Sequence, residues 1–112
     1  MSKFALVFSM IFASNVFAKT YVIPSHQEGC SKVLEVTTNG LLSHYQKSLK
    51  VSFVGLIYEK KKVFTLESIN RYYDSVWIDY YAKDGEKLEY YWDDGYGIEE
   101  GIRFRDCLYT IQ

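Results

Sequence analysis

Two cysteines, two histidines, one cluster of carboxylates and a scatter of hydroxyls carry the reactive chemistry of this chain. Cys30 and Cys107 are the only cysteines. No histidine or further cysteine stands at ligand spacing to either, which disfavours a metal site. A disulfide between them, two free thiols and an intermolecular bond are the outcomes left. His26 and His44 have no Ser, Cys or Asp partner at the spacing of a known catalytic motif. Asp93, Asp94, Glu99 and Glu100 supply enough carboxylates for an acid–base pair. Acids this dense among the glycines of residues 93–101 read more simply as a solvated loop. Gly95-x-Gly97 lacks the spacing and the following helix that a phosphate-cradling loop needs. The residues therefore predict a binding domain rather than an enzyme, with no metal or cofactor.

The ends of the chain decide which cysteine chemistry is favoured. Lys3, the nine-residue apolar run FALVFSMIF at residues 4–12, and the small residues at −3 and −1 of Val16-Phe17-Ala18 have the order of a secretory signal. The run is too short to span a bilayer, which takes about 20 residues. No cysteine follows the cleavage position, so no membrane anchor is expected once the signal is removed. Export to the periplasm or beyond meets an oxidising compartment, where a Cys30–Cys107 disulfide is the expected state. Cleavage after Ala18 of the 112-residue chain leaves 94 residues, enough for one domain. Loss of Lys3 from 13 Lys+Arg leaves 12 against 14 Asp+Glu. That balance argues against a nucleic-acid partner, which requires a basic patch.

The elements that must position these groups are strands. All 11 Tyr and both Trp follow residue 18. Large aromatics help so short a chain to build a core, because it buries only about 60% of its unfolded surface. Residues 19–28 read as a flexible polar leader, and residues 29–112 as the domain. VLEVTT at residues 33–38 is β-branched and ends on Asn39-Gly40, a two-residue hairpin signal returning through residues 41–46. Strands are expected over residues 50–58 and 63–66, separated by a charged turn at residues 59–62. Residues 67–72 read as a polar connection. Residues 73–82 alternate, with Val76, Ile78 and Tyr80 on one face and Trp77, Asp79 and Tyr81 on the other. Asp84-Gly85 reads as a type I′ turn into residues 87–92, which place Leu88, Tyr90 and Trp92 together. Residues 102–111 read as one last strand. Six to eight short strands with regular turns predict an all-β fold, a small antiparallel barrel or sandwich.

The order of these parts resembles the MliC/PliC family of bacterial inhibitors of c-type lysozyme. The resemblance runs over residues 29–112. It rests on a cysteine at each end of the domain, Val51-Ser52-Phe53-Val54, Ser68-Ile69-Asn70-Arg71-Tyr72, Lys83-Asp84-Gly85 and Cys107-Leu108. It implies an eight-stranded antiparallel barrel tied by one disulfide, with c-type lysozyme or another cell-wall-directed enzyme as partner. It also implies that Ser68 and Lys83 address the enzyme's catalytic carboxylates, with Arg71 and Tyr72 completing the first motif. Ile69 stands where the family carries glycine, and Asp84 separates a Lys-Gly pair that is adjacent in the family. Two other functions fit the residues. One is a periplasmic immunity protein whose acidic loop masks the basic site of a toxin. The other is a small barrel that binds a ligand such as a sugar among its Tyr and Trp side chains.

Overall fold

The computed structural model describes residues 19–55, 60–95 and 97–111. The export signal expected over residues 1–18 lies outside the described residues, as do residues 56–59 and Tyr96. Eight strands follow one another: β1 (Lys19–Ile23), β2 (Leu34–Thr38), β3 (Ser48–Phe53), β4 (Lys62–Arg71), β5 (Ser75–Tyr81), β6 (Lys87–Asp93), β7 (Glu99–Phe104) and β8 (Cys107–Ile111). Each is antiparallel to the next, and all eight form one sheet in chain order. The sheet curls into a nearly closed up-and-down barrel, in which β1 and β8 approach each other. The described residues contain no α-helix.

Alternation along the strands sorts the side chains. Leu34 and Val36, Leu49, Val51 and Phe53, Ile78 and Tyr80, and Leu88 and Tyr90 all point inward and are buried. Phe64, Ile102, Phe104 and Tyr109 complete the interior. Phe64 meets Phe104 edge-on at 5.5 Å between ring centroids. Each such side chain contributes about 2 to 3 kcal/mol by leaving water. The inward tyrosines keep their hydroxyls bonded. Tyr80 donates to the Gln46 carbonyl at 2.7 Å, and Tyr90 donates to Glu100. Among the described residues no buried side-chain polar atom lacks a partner. A tyrosine-rich core is thus apolar in its rings and satisfied at its rim.

β1 and β8 leave a seam that no strand ladder joins among the described residues. Side chains close it. Ser25 Oγ donates to the Leu108 carbonyl at 2.7 Å. The Leu108 amide donates to the Gln27 side-chain carbonyl at 2.9 Å. Beside them Cys30 is bonded to Cys107, so the pair forms the intramolecular disulfide and neither thiol is free.

Several expectations are corrected. Residues 19–23 are not part of a flexible leader: the alternating Lys19–Ile23 pairs in register with Leu34–Thr38 and buries Ile23. Asn39-Gly40 does not close a two-residue hairpin. A 3-10 turn at Leu42–His44 follows, and its Leu42 is fully buried. Residues 67–71 are not a connection but the second half of the ten-residue β4. The last strand is two: Arg105 and Asp106, at φ 50° and 62°, form a two-residue turn that folds β8 back on β7. That pair of positive φ values is the type I′ geometry. The β5–β6 turn is not type I′ at Asp84-Gly85. Lys83 and Asp84 are its central residues, Gly85 alone has positive φ (91°), and the Gly85 amide donates to the Ala82 carbonyl.

Candidate functional site

Ser68 reaches the outer wall of the barrel through an irregularity in β4. Phe64 and Leu66 face inward, so strict alternation would send Ser68 inward as well. The register slips instead: Leu66 pairs with Tyr80, while Ser68 pairs with Asp79. Glu67 is the extra residue of a β-bulge, and such a bulge re-aims the side chains after it. Ser68 and Asn70 therefore join the outward row of Asp79 and Trp77 on β5. Ser68 Oγ donates to Asp79 Oδ2 at 2.9 Å. Asn70 Nδ2 approaches the same oxygen at 3.2 Å and the Trp77 carbonyl at 3.3 Å.

The wall continues across β6 and β7. Asp79 stands opposite Glu89, and Glu89 opposite Arg103. Two carboxylates directly across a ladder repel. Lys87 offsets this, with Nζ 3.7 Å from Asp79 and 3.8 Å from Glu89. Trp77 stacks on Tyr91 at 4.8 Å, and the Arg103 guanidinium lies 5.1 Å from the Trp77 ring centre. Asn70, Tyr72, Trp77, Asp79, Lys87, Glu89 and Arg103 line an open depression of about 410 Å³. Donors, acceptors and two aromatic side chains, Tyr72 and Trp77, make a surface able to hold a polar partner. Among the described residues no group of three His, Cys, Asp or Glu side chains could hold a metal ion.

The predicted site residues do not all come together. Ser68 lies midway along β4. Arg71 and Tyr72 lie at the β4–β5 end of the barrel, where Arg71 donates to Tyr45 Oη at 3.2 Å and covers its ring. Lys83 lies on the β5–β6 turn, at the opposite end. The seven residues of β5 separate those ends by about 20 Å at the usual rise per residue. Ser68 is nearer to Lys83: Asp79, its partner, is four positions before Lys83, an axial span of about 13 Å. Lys83 flanks a charged cluster in which Lys62 binds Asp84 and Glu86, and Glu86 accepts from Arg105 Nε at 2.8 Å. The Lys62 bond holds the Asp84 carboxyl below its ordinary range. The Arg105 bond does so for Glu86.

Sequence reasoning missed Asn70, Lys87, Glu89 and Arg103. The signal that places Glu89 was available: the inward Ile78 and Tyr80 must face the inward Tyr90 and Leu88, and this register sets Glu89 opposite Asp79. Comparison of the chain with family models, with curated proteins and with solved structures finds no match.

Proposed function

We propose that the mature domain is an exported protein inhibitor of c-type lysozyme, acting in the periplasm or outside the cell. The observation that carries this reading is the bulge at Glu67, which sets the Ser68 hydroxyl on the outer wall, where it donates its hydrogen bond to Asp79. A serine hydroxyl has one proton to donate and two lone pairs. With that O–H directed at Asp79, Ser68 presents its lone pairs as an acceptor. A lysozyme cleft offers a matching donor, the protonated glutamic acid that serves as general acid, beside an ionised aspartate. Lys83, on a long flexible stem, supplies the charge-assisted partner for that aspartate. The barrel and the Asp79 bond hold Ser68 before binding, which limits the entropy lost on association.

The experiment is a turbidity assay of cell-wall lysis by a c-type lysozyme with excess oxidised mature protein. Dose-dependent protection is expected. Lys83→Ala is expected to weaken it by roughly tenfold, the scale of one charge-assisted bond, and Ser68→Ala by about fivefold, the scale of a neutral one. Absence of protection by the wild-type protein would overturn the reading. Full protection by both variants would remove the mechanism.

A further inference from the structure

The end of the barrel farthest from Lys83 exposes apolar surface for which folding has no use. Tyr73 is wholly exposed at 103%, Ile98 is 75% exposed and Tyr72 64%. Tyr72 and Tyr73 belong to the β4–β5 turn, and Ile98 to the β6–β7 loop. The two loops are braced into one knob. The Tyr72 amide donates to the Ser75 carbonyl at 2.8 Å, and the Asp94 amide donates to the Asp74 carbonyl at 2.8 Å. Asp93 Oδ1 accepts from the Gly95 amide at 2.7 Å. A Cβ on Gly95 would lie 2.7 Å from Asp74 Oδ2, so the Asp74 carboxylate of one loop rests against the backbone of the other. A turn with only a folding role would carry small polar residues at its tip. Two tyrosines and an isoleucine on a preorganised tip have instead the composition of an interface anchor.

The charge around the knob selects the partner. Asp74, Asp93, Asp94 and Glu99 surround it, and among the described residues none of the four is in an ion pair. The nearby Arg71 is turned onto Tyr45. Lysines 60, 61, 62 and 83 lie at the other end of the barrel, where Lys62 is paired with Asp84 and Glu86. Acidic rims attract cations from a distance. Exposed tyrosine rings receive Lys and Arg side chains by cation–π contact.

We infer that the Tyr72–Tyr73–Ile98 knob is a second docking surface, seated on a cationic patch of the lysozyme outside its catalytic cleft. This rests on the inhibitor reading and extends it: Ser68 and Lys83 would occupy the cleft, while the knob holds the enzyme's outer surface and supplies affinity. The occupant is a basic protein surface rich in Lys and Arg.

The test measures binding of oxidised mature protein to a c-type lysozyme by calorimetry and stopped flow at two ionic strengths, with the lysis assay in parallel. The double variant Tyr73→Ser/Ile98→Ser is expected to raise Kd by about 30-fold, the effect of losing one or two interface anchors. The double variant Asp74→Asn/Asp94→Asn is expected to slow association by about fivefold and to flatten its dependence on salt. All four side chains are at the surface, and thermal melting of both variants is expected to match the wild type. Wild-type affinity and inhibition in both variants, with inhibition lost in Lys83→Ala, would overturn the knob and leave the inhibitor reading standing. A wild-type protein that neither binds nor inhibits the enzyme would overturn both. Concentration-dependent self-association of the wild type that Tyr73→Ser abolishes would assign the knob to a second copy of this chain and overturn the lysozyme partner.

Discussion

At the scale of single residues, two physical demands stand out, one steric and one dielectric. Gly101 on β7 has no room for a side chain. A Cβ there would meet the Tyr109 carbonyl oxygen at 2.4 Å and Tyr91 Oη at 2.7 Å. Tyr91 lies across the glycine and is buried although it sits on the outer wall, with its hydroxyl bonded to Glu99 at 2.9 Å. Gly101→Ala must therefore shift backbone as well as a ring. A loss of about 3 kcal/mol is expected, at the upper end for overpacking, and urea unfolding would show it as a lower midpoint with unchanged slope. The dielectric demand falls on the phenols. Burial pushes Tyr80 up to about 12, and burial with the Glu99 bond does the same for Tyr91. Burial and Glu100 move Tyr90 further in the same direction. A phenol whose folded pKa lies above its unfolded value near 10 binds more protons folded than unfolded once pH exceeds 10. Its contribution is whole below pH 10 and is lost as pH rises towards 12. Spectrophotometric titration is expected to show the buried set Tyr80, Tyr90 and Tyr91 ionising late and together with unfolding. A smooth titration of all tyrosines near pH 10 with the fold intact would contradict the burial argument.

At the scale of elements, turns decide which faces meet, and turn chemistry was the part of the sequence least easy to read. The alternation of Val76, Ile78 and Tyr80 against Trp77, Asp79 and Tyr81 was legible, because period-2 patterning is set by burial alone. The β7–β8 turn was not legible, because Arg105 and Asp106 adopt positive φ without the Asn-Gly or Asp-Gly that usually marks it. Asn39-Gly40 carried the opposite error: the right dipeptide stands where Leu42 is drawn into the core by a 3-10 turn. The bulge that turns Ser68 outward has no local sequence signal. It shows only when the inward positions of β4 are counted against those of β5. The Asp84-Gly85 turn is instructive. A two-residue turn there would pair Asp79 with Tyr90 and set outward residues against inward ones. Gly85, the extra residue at φ 91°, restores the register in which Ile78 faces Tyr90 and Asp79 faces Glu89. Nothing lies within 4 Å of a Cβ on Gly85, so Gly85→Ala isolates the backbone term. It is expected to destabilise by about 1 kcal/mol. In a domain of this size that lowers the melting temperature by about 5 °C, with the wall of Ser68, Asp79 and Lys87 unchanged.

At the scale of the whole molecule, the barrel is closed by a disulfide and side-chain hydrogen bonds where the strand ladders stop. Among the described residues seven ladders link the eight strands, and β1 meets β8 without an eighth. A sheet left open there would present two edges, each a template for pairing with another chain. Ser25 and Gln27 cap part of the β8 edge through Leu108, and the Cys30–Cys107 bond holds that capping segment in place across a sequence separation of 77 residues. Chain-entropy reasoning gives a loop of that length about 4.5 kcal/mol of stabilisation through the unfolded state. Domains this short have a total stability of about 5 to 10 kcal/mol. The bond therefore accounts for a large share of the margin, and it also guards the seam. Reduction, or Cys30→Ser/Cys107→Ser, is expected to lower the urea midpoint by more than half. In native buffer it is expected to speed amide exchange first in β1 and β8, while β5 and β6, paired on both sides, stay protected longest. Hydrogen-exchange measurements on the oxidised and reduced forms check this directly. Uniform loss of protection would show one cooperative unit with the disulfide acting only on the unfolded chain. Unchanged protection at β1 and β8 would show that the Ser25 and Gln27 contacts close the seam unaided.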